Sequence, residues 1–213
     1  DLNLDEEGTA LLLSAFGCGA MISALSLPRV LSHVQDRTTS LAAGFAMAIA
    51  LALGTLTSGF LMASILWFVI GVSYSAVLVC AGRLVQRSST KPDRPAYFSA
   101  QFALSHGCFL LTYPLAGWLG SAFGLPATFA IFSGLVVLSV ATAFWVWPAN
   151  DERQLLHDHA SLEHGHLHIH DEHHQHAHEG WEGPEPHSHP HYHPPLRHKH
   201  VFAIDLHHPE WPL

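Results

Sequence analysis

The chain has 213 residues, 49% of them hydrophobic and only 12% charged, with a formal net charge of −8. That scarcity of charge excludes a soluble all-helical domain, whose helices each need a polar face. The mean hydropathy of +0.22 averages two regions of opposite chemistry, an apolar part over 1–150 and a polar tail over 151–213.

The N-terminus, Asp1–Glu7, is acidic, and no basic segment precedes the first apolar run, so Gly8–Pro28 is not a signal peptide. The chain starts at Asp1 and reads as part of a longer protein. No Asp, Glu, Lys or Arg occurs in Gly8–Pro28, Thr38–Gly82 or Ala96–Asn150. A helix needs about 20 apolar residues to cross a hydrocarbon core of about 30 Å. The three stretches therefore hold one, two and two crossings. Five transmembrane helices are expected at about Gly8–Val30, Thr39–Leu56, Phe60–Leu84, Tyr97–Leu119 and Ala127–Trp147. Gly54, Ser58 and Gly59 mark one tight turn, and Gly120, Gly124 and Pro126 another. The predicted fold is a polytopic all-α membrane protein with a disordered His-rich tail.

With five spans, Arg29 and Arg37 fall in the first connection, and Arg83, Arg87, Lys91 and Arg94 in the third. Arg153, Arg197 and Lys199 follow the fifth span, so all nine basic residues lie on one side. The positive-inside rule then puts the tail in the cytoplasm and Asp1 outside. The expected location is the bacterial inner membrane. Cys18, Cys80 and Cys108 all lie inside spans, which argues against a disulfide framework.

After Pro148 the composition changes abruptly. Eighteen of the 20 histidines lie between His157 and His208. They include His157 and His159; His164, His166, His168 and His170; and His173, His174, His176 and His178. His187, His189, His191 and His193 follow, then His198 and His200. Most alternate as H-x-H. Imidazole is the commonest protein ligand for borderline transition metals. In an extended chain residues two apart point the same way, about 6.6–6.8 Å apart, so each run offers a row of imidazoles. Asp158, Glu163, Asp171 and Glu172 add oxygen ligands. Ni²⁺, Zn²⁺, Co²⁺ and Cu²⁺ all suit such sites, and tail chemistry alone does not choose among them. A pH-responsive or solubilising role is the competing account of the same residues. No periodicity of helix or strand is expected here beyond a short helical extension over Arg153–Glu163. The apolar Val201–Ile204 and Trp211 could dock elsewhere.

The span pattern and the charged turn Leu27–Arg37, with Arg29, Asp36 and Arg37, resemble the C-terminal half of a major facilitator superfamily transporter. In that family a charged motif joins the second and third spans of each half. Here Ser32 and His33 stand where an Asp-Arg pair is usual, and Gln35 where a Gly is usual. The resemblance implies that the five spans are the eighth to twelfth of twelve, with an N-terminal half of the same transporter as partner. Among such transporters, a His-rich cytoplasmic C-terminus resembles nickel-resistance exporters of the NreB type. Pro195–His200 and Asp205–Pro209 carry that likeness. It implies nickel export by proton antiport.

Within the membrane region, His106 is the one member of the Asp, Glu, Lys, Arg and His set well inside a predicted span. Such groups are costly at that depth and often functional. Gln101, Ser105, Cys108 and Thr112 follow i, i+4, i+7, i+11 spacing on the same helix. They form a polar stripe flanked by His106, a candidate transport path in which His106 is a metal ligand or proton carrier. The competing account is a helix–helix interface. Ser14, Cys18 and Met21 make a similar stripe on the first span, for which packing is the expected role. Pro114 is expected to kink the fourth span.

No G-x-S-x-G, H-E-x-x-H or phosphate loop occurs, so an enzyme is not expected. No cofactor is required, and no nucleic-acid partner is expected; the partners are metal ions and the bilayer. Three functions stay open: a metal exporter, an organic-substrate exporter whose tail buffers or senses metal, and a membrane-anchored metal store.

Overall fold

The computed structural model describes residues 5–149, 154–159, 162–168, 186–193 and 196–201. The chain falls into two units, Asp1–Glu152 and Arg153–Leu213.

In the first unit every element is helical. Helix α1 spans Glu6–Val30, α2 Asp36–Gly54, α3 Phe60–Arg87 and α4 Arg94–Val146. The start of α1 follows from local chemistry. Asp5 caps it by accepting a hydrogen bond from the Gly8 amide at 2.8 Å, and Glu6 and Glu7 occupy the first turn. Carboxylates there complement the positive end of the helix dipole. All four helices are long and apolar enough to cross a membrane.

The 53 residues assigned to α4 would extend about 80 Å if straight, far beyond one bilayer. The helix breaks at Gly124, whose φ of 80° and ψ of 167° leave helical space. A positive φ is cheap only for glycine, and Pro126 then restarts the chain. This break falls in the turn expected between the fourth and fifth spans from Gly120, Gly124 and Pro126, while the backbone at Pro114 keeps helical dihedrals.

Side-chain contacts fix the helix directions. Gly71 of α3 lies against Phe16 of α1, and Gly19 of α1 against Phe68 and Val72 of α3. Farther along both helices, Leu27 and Leu31 pack with Ala76 and Cys80. α1 and α3 are therefore parallel. α2 runs the other way, because its first residue, Asp36, meets Arg83 near the end of α3. The second half of α4 is antiparallel to α2. Phe129 lies by Gly54 and Val140 by Gly44, and Arg37 reaches Phe144 and Trp147.

Burial follows the logic of lipid rather than water. The buried positions are mainly small: Gly19 and Ser23 on α1, Gly44 and Ala48 on α2, Gly71, Ser73, Ser75 and Ala76 on α3. Small residues let backbones approach where no hydrophobic force drives helices together. Large apolar side chains face outward, with Leu104 74% and Leu110 79% exposed.

The second unit contains β1 (Gln154–His159), β2 (Leu162–His168), β3 (His187–His193) and β4 (Leu196–Val201). β1 pairs antiparallel with β4, and β2 with β3. The described tail segments are thus extended and paired, where no regular periodicity was expected. Within the helical extension expected over Arg153–Glu163, the described residues 154–159 and 162–163 belong instead to strands β1 and β2. The physical reason is visible in the H-x-H runs. Alternation with period two is the strand period, and a metal-ligand pattern is at the same time a strand pattern. His170, His173, His174, His176 and His178 lie outside the described residues, as do Asp171, Glu172, 202–204 and Trp211.

Candidate functional site

The polar stripe of the fourth span lies on the first half of α4. Gln101, Ser105 and Thr112 are half-buried, and His106 and Cys108 are exposed. Their recorded polar contacts stay on their own helix. His106 Nδ1 is 2.9 Å from the Phe102 carbonyl oxygen, and its ring stacks on Phe102 with centroids 3.7 Å apart. Phe109 meets the ring edge-on at 5.3 Å. Ser105 Oγ donates to the Phe102 carbonyl at 2.9 Å, and Thr112 Oγ1 to the Cys108 carbonyl at 3.1 Å. Hydroxyls that bond the preceding turn satisfy themselves locally. Among the described side chains, no three of His, Cys, Asp and Glu come together to hold a metal ion.

The first-span stripe takes a different place from the one expected. Ser14, Cys18 and Met21 are exposed, with Met21 at 58%. The packing face of α1 is Leu12, Gly19, Ser23 and Leu27. Ser14 Oγ donates to the Ala10 carbonyl at 2.8 Å. The reason is steric: α3 approaches Gly19 closely enough that a Cβ there would strike the Phe68 carbonyl. Gly19, not the polar stripe, therefore sets the interface. Cys18, Cys80 and Cys108 form no disulfide with one another.

The charged turn proves to be a structural junction. Leu31, at the C-cap of α1, is fully buried. Asp36 at the start of α2 is 3% exposed, and its Oδ1 accepts from Arg83 Nε at 2.8 Å. Arg37 Nε donates to the Trp147 carbonyl at 2.9 Å, and its second guanidinium nitrogen to the Phe144 carbonyl at 3.0 Å. Its guanidinium also lies 5.0 Å from the Phe144 ring centroid. Arg37 thereby caps the carbonyl end of α4, where a cation complements the negative end of the dipole. Arg94 does the same for α3, donating to the Gln86 and Ser89 carbonyls at 3.0 and 3.2 Å. The sequence showed these residues as a charged turn and a basic side. Their capping partners, more than 100 residues away for Arg37, carried no sequence signal.

A groove of about 440 Å³ runs between α2, α3 and the second half of α4, lined by Leu41, Met47, Tyr74, Leu78, Val140 and Trp147 among others. Its lining is mostly apolar, with hydroxyls from Ser40, Tyr74 and Ser139 and no charged side chain.

In the second unit, the register brings histidines of separate runs opposite one another. His164 faces His191, His166 faces His189 and His168 faces His187 across β2 and β3. His157 faces His198 across β1 and β4, next to the rung Asp158–Arg197. His159 pairs with Leu196, His200 with Leu155 and His193 with Leu162.

The family model of the Major Facilitator Superfamily matches residues 1–193. The chain belongs to the Major Facilitator Superfamily. It is therefore an integral membrane protein of a transporter family. No curated protein matches the chain. The superfamily match accounts for the helices and their outward apolar faces. It leaves the substrate unspecified and does not explain the histidines.

Proposed function

We propose that this superfamily member is part of a secondary transporter that exports a divalent transition-metal cation, with nickel the ion suggested by its likeness to exporters with His-rich tails. The observation that carries this reading is the tail itself. Eighteen histidines between His157 and His208 on a transporter chain concentrate ligands suited to borderline metals. In this reading the tail is cytoplasmic in a bacterial inner membrane and gathers metal on the side from which it is exported. The basic residues Arg37, Arg83 and Arg94 cluster at one end of the helices through their contacts, which agrees with a cytoplasmic face. Metal ions, the bilayer and the first half of the same transporter are its partners, and proton antiport supplies the energy.

The fourth-span stripe is the candidate path, with His106 as ligand or proton carrier. It is tested in cells that depend on this transporter for nickel resistance. His106→Ala is expected to lower the tolerated nickel concentration more than deletion of Leu162–His200, at equal protein abundance in the membrane. Full resistance with His106→Ala, and its loss on tail deletion, rejects the path and moves the metal chemistry to the tail. Unchanged nickel tolerance in both, with altered tolerance to an organic compound, favours organic-substrate efflux.

A further inference from the structure

The β2–β3 ladder has two chemically distinct faces. Residues two apart in a strand share a face. The register therefore gathers His164, His166 and His168 of β2 with His187, His189, His191 and His193 of β3 on one face, Leu162 completing it. The other face carries Glu163, Gly165, Leu167, Ser188, Pro190 and Tyr192, and no histidine. The H-x-H period sets one half of the sorting, and the register sets the other.

Distances decide which histidines can share an ion. Along one strand, same-face neighbours are about 6.6–6.8 Å apart. Directly opposite residues of an antiparallel pair have Cβ atoms only about 4.5–5.5 Å apart. The nearest histidine to each of His164, His166 and His168 is thus on the other strand, not in its own run. A tetrahedral ion with bonds of about 2.0–2.1 Å to nitrogen needs its ligands close together. The backbone ladder already brings the strands side by side, which lowers the ordering cost of assembling ligands from two runs.

We propose that the β2–β3 ladder is a divalent-metal site whose ligands come in cross-strand histidine pairs. The register sets two neighbouring rungs, His164–His191 and His166–His189, side by side, so that four histidines share one stretch of one face. The third rung, His168–His187, extends the site. The bound ion ties β2 to β3. This inference rests on the proposal that the tail binds metal, and adds that the tightest site is shared between runs.

The test uses the full 213-residue chain in detergent, titrated at pH 7.5 with Ni²⁺ and separately with Zn²⁺. One variant carries His164→Gln, His166→Gln and His168→Gln. A second carries His187→Gln, His189→Gln and His191→Gln, and a third carries all six. Each triple variant is expected to weaken the tightest ion by roughly 100-fold, the scale of a lost effective concentration. The six-fold variant should be no weaker than either triple at that site. Losses that add, with each triple removing only its own share of bound metal, overturn the shared site while leaving metal binding by the tail intact. No saturable binding by the unaltered chain overturns both. As a second measurement, Glu163→Cys and Tyr192→Cys stand opposite each other on the histidine-free face. Their disulfide cross-linking is expected to rise several-fold with Ni²⁺, and no change on adding metal counts against a clamp.

Discussion

The two units satisfy the same backbone in opposite ways. In the membrane unit each helix bonds its own amides and carbonyls, so large apolar side chains can face lipid. Leu104 and Leu110 are among the exposed ones. In the tail, amides and carbonyls of β2 find partners on β3, across 18 intervening residues. The consequence for chemistry is direct. A helix that is self-sufficient can carry Ser105 and Thr112 with their hydroxyls returned to its own carbonyls, and has few ligands to spare. A ladder that must recruit a distant strand brings distant histidines with it. The ladder therefore brings histidines of separate runs opposite one another, while the contacts of the helices serve packing.

The sharpest test of this contrast is to remove one region. Deletion of 153–213 is expected to reduce bound Ni²⁺ or Zn²⁺ from more than one ion per chain to fewer than one, measured by calorimetry at pH 7.5. In the intact chain, affinity should fall as pH drops below 6. Ligation requires neutral imidazole, and histidine titrates near pH 6.5. Protons therefore compete increasingly from about pH 7 downward. Affinity independent of pH between 5.5 and 7.5 breaks the assignment of the ligands to histidine.

A second test acts on the membrane unit and should leave metal binding alone. A Cβ at Gly71 would meet the backbone carbonyl of Phe16, which no rotamer change relieves. Gly71→Val is expected to separate α1 from α3 and destabilise the unit by about 1–3 kcal/mol, read from thermal unfolding in detergent. Unchanged unfolding shows that α1 and α3 do not depend on that close approach.

The smallest expected effect is at the charged junction. Removing one partner of a buried ion pair costs about 3–5 kcal/mol. Arg83 is 39% exposed although Asp36 is 3% exposed, so water screens part of that loss. Arg83→Ala is expected to destabilise by about 1–2 kcal/mol. Adding Asp36→Asn should restore part of it, because the buried carboxylate is then neutral. A double variant no better than Arg83→Ala shows that the pair contributes through packing rather than charge.

The amino-acid sequence by itself determined that this is a helical membrane protein. Charge-free stretches long enough to span lipid leave few alternatives, and the helices Glu6–Val30, Asp36–Gly54, Phe60–Arg87 and Arg94–Val146 cover them. The density of histidine was equally legible, because it is a matter of composition. What only the tertiary structure decided was which residues meet. The side of α1 that packs is set by Gly19 against Phe68, and no polarity pattern ranks that above Ser14, Cys18 and Met21. Arg37 caps a helix end 107 residues onward, and His164 stands opposite His191. Periodicity within one segment reports its own faces, through the geometry of helix or strand. Register and close approach between segments depend on the shapes of both partners and on the chain that joins them, so they emerge only when the segments are placed together.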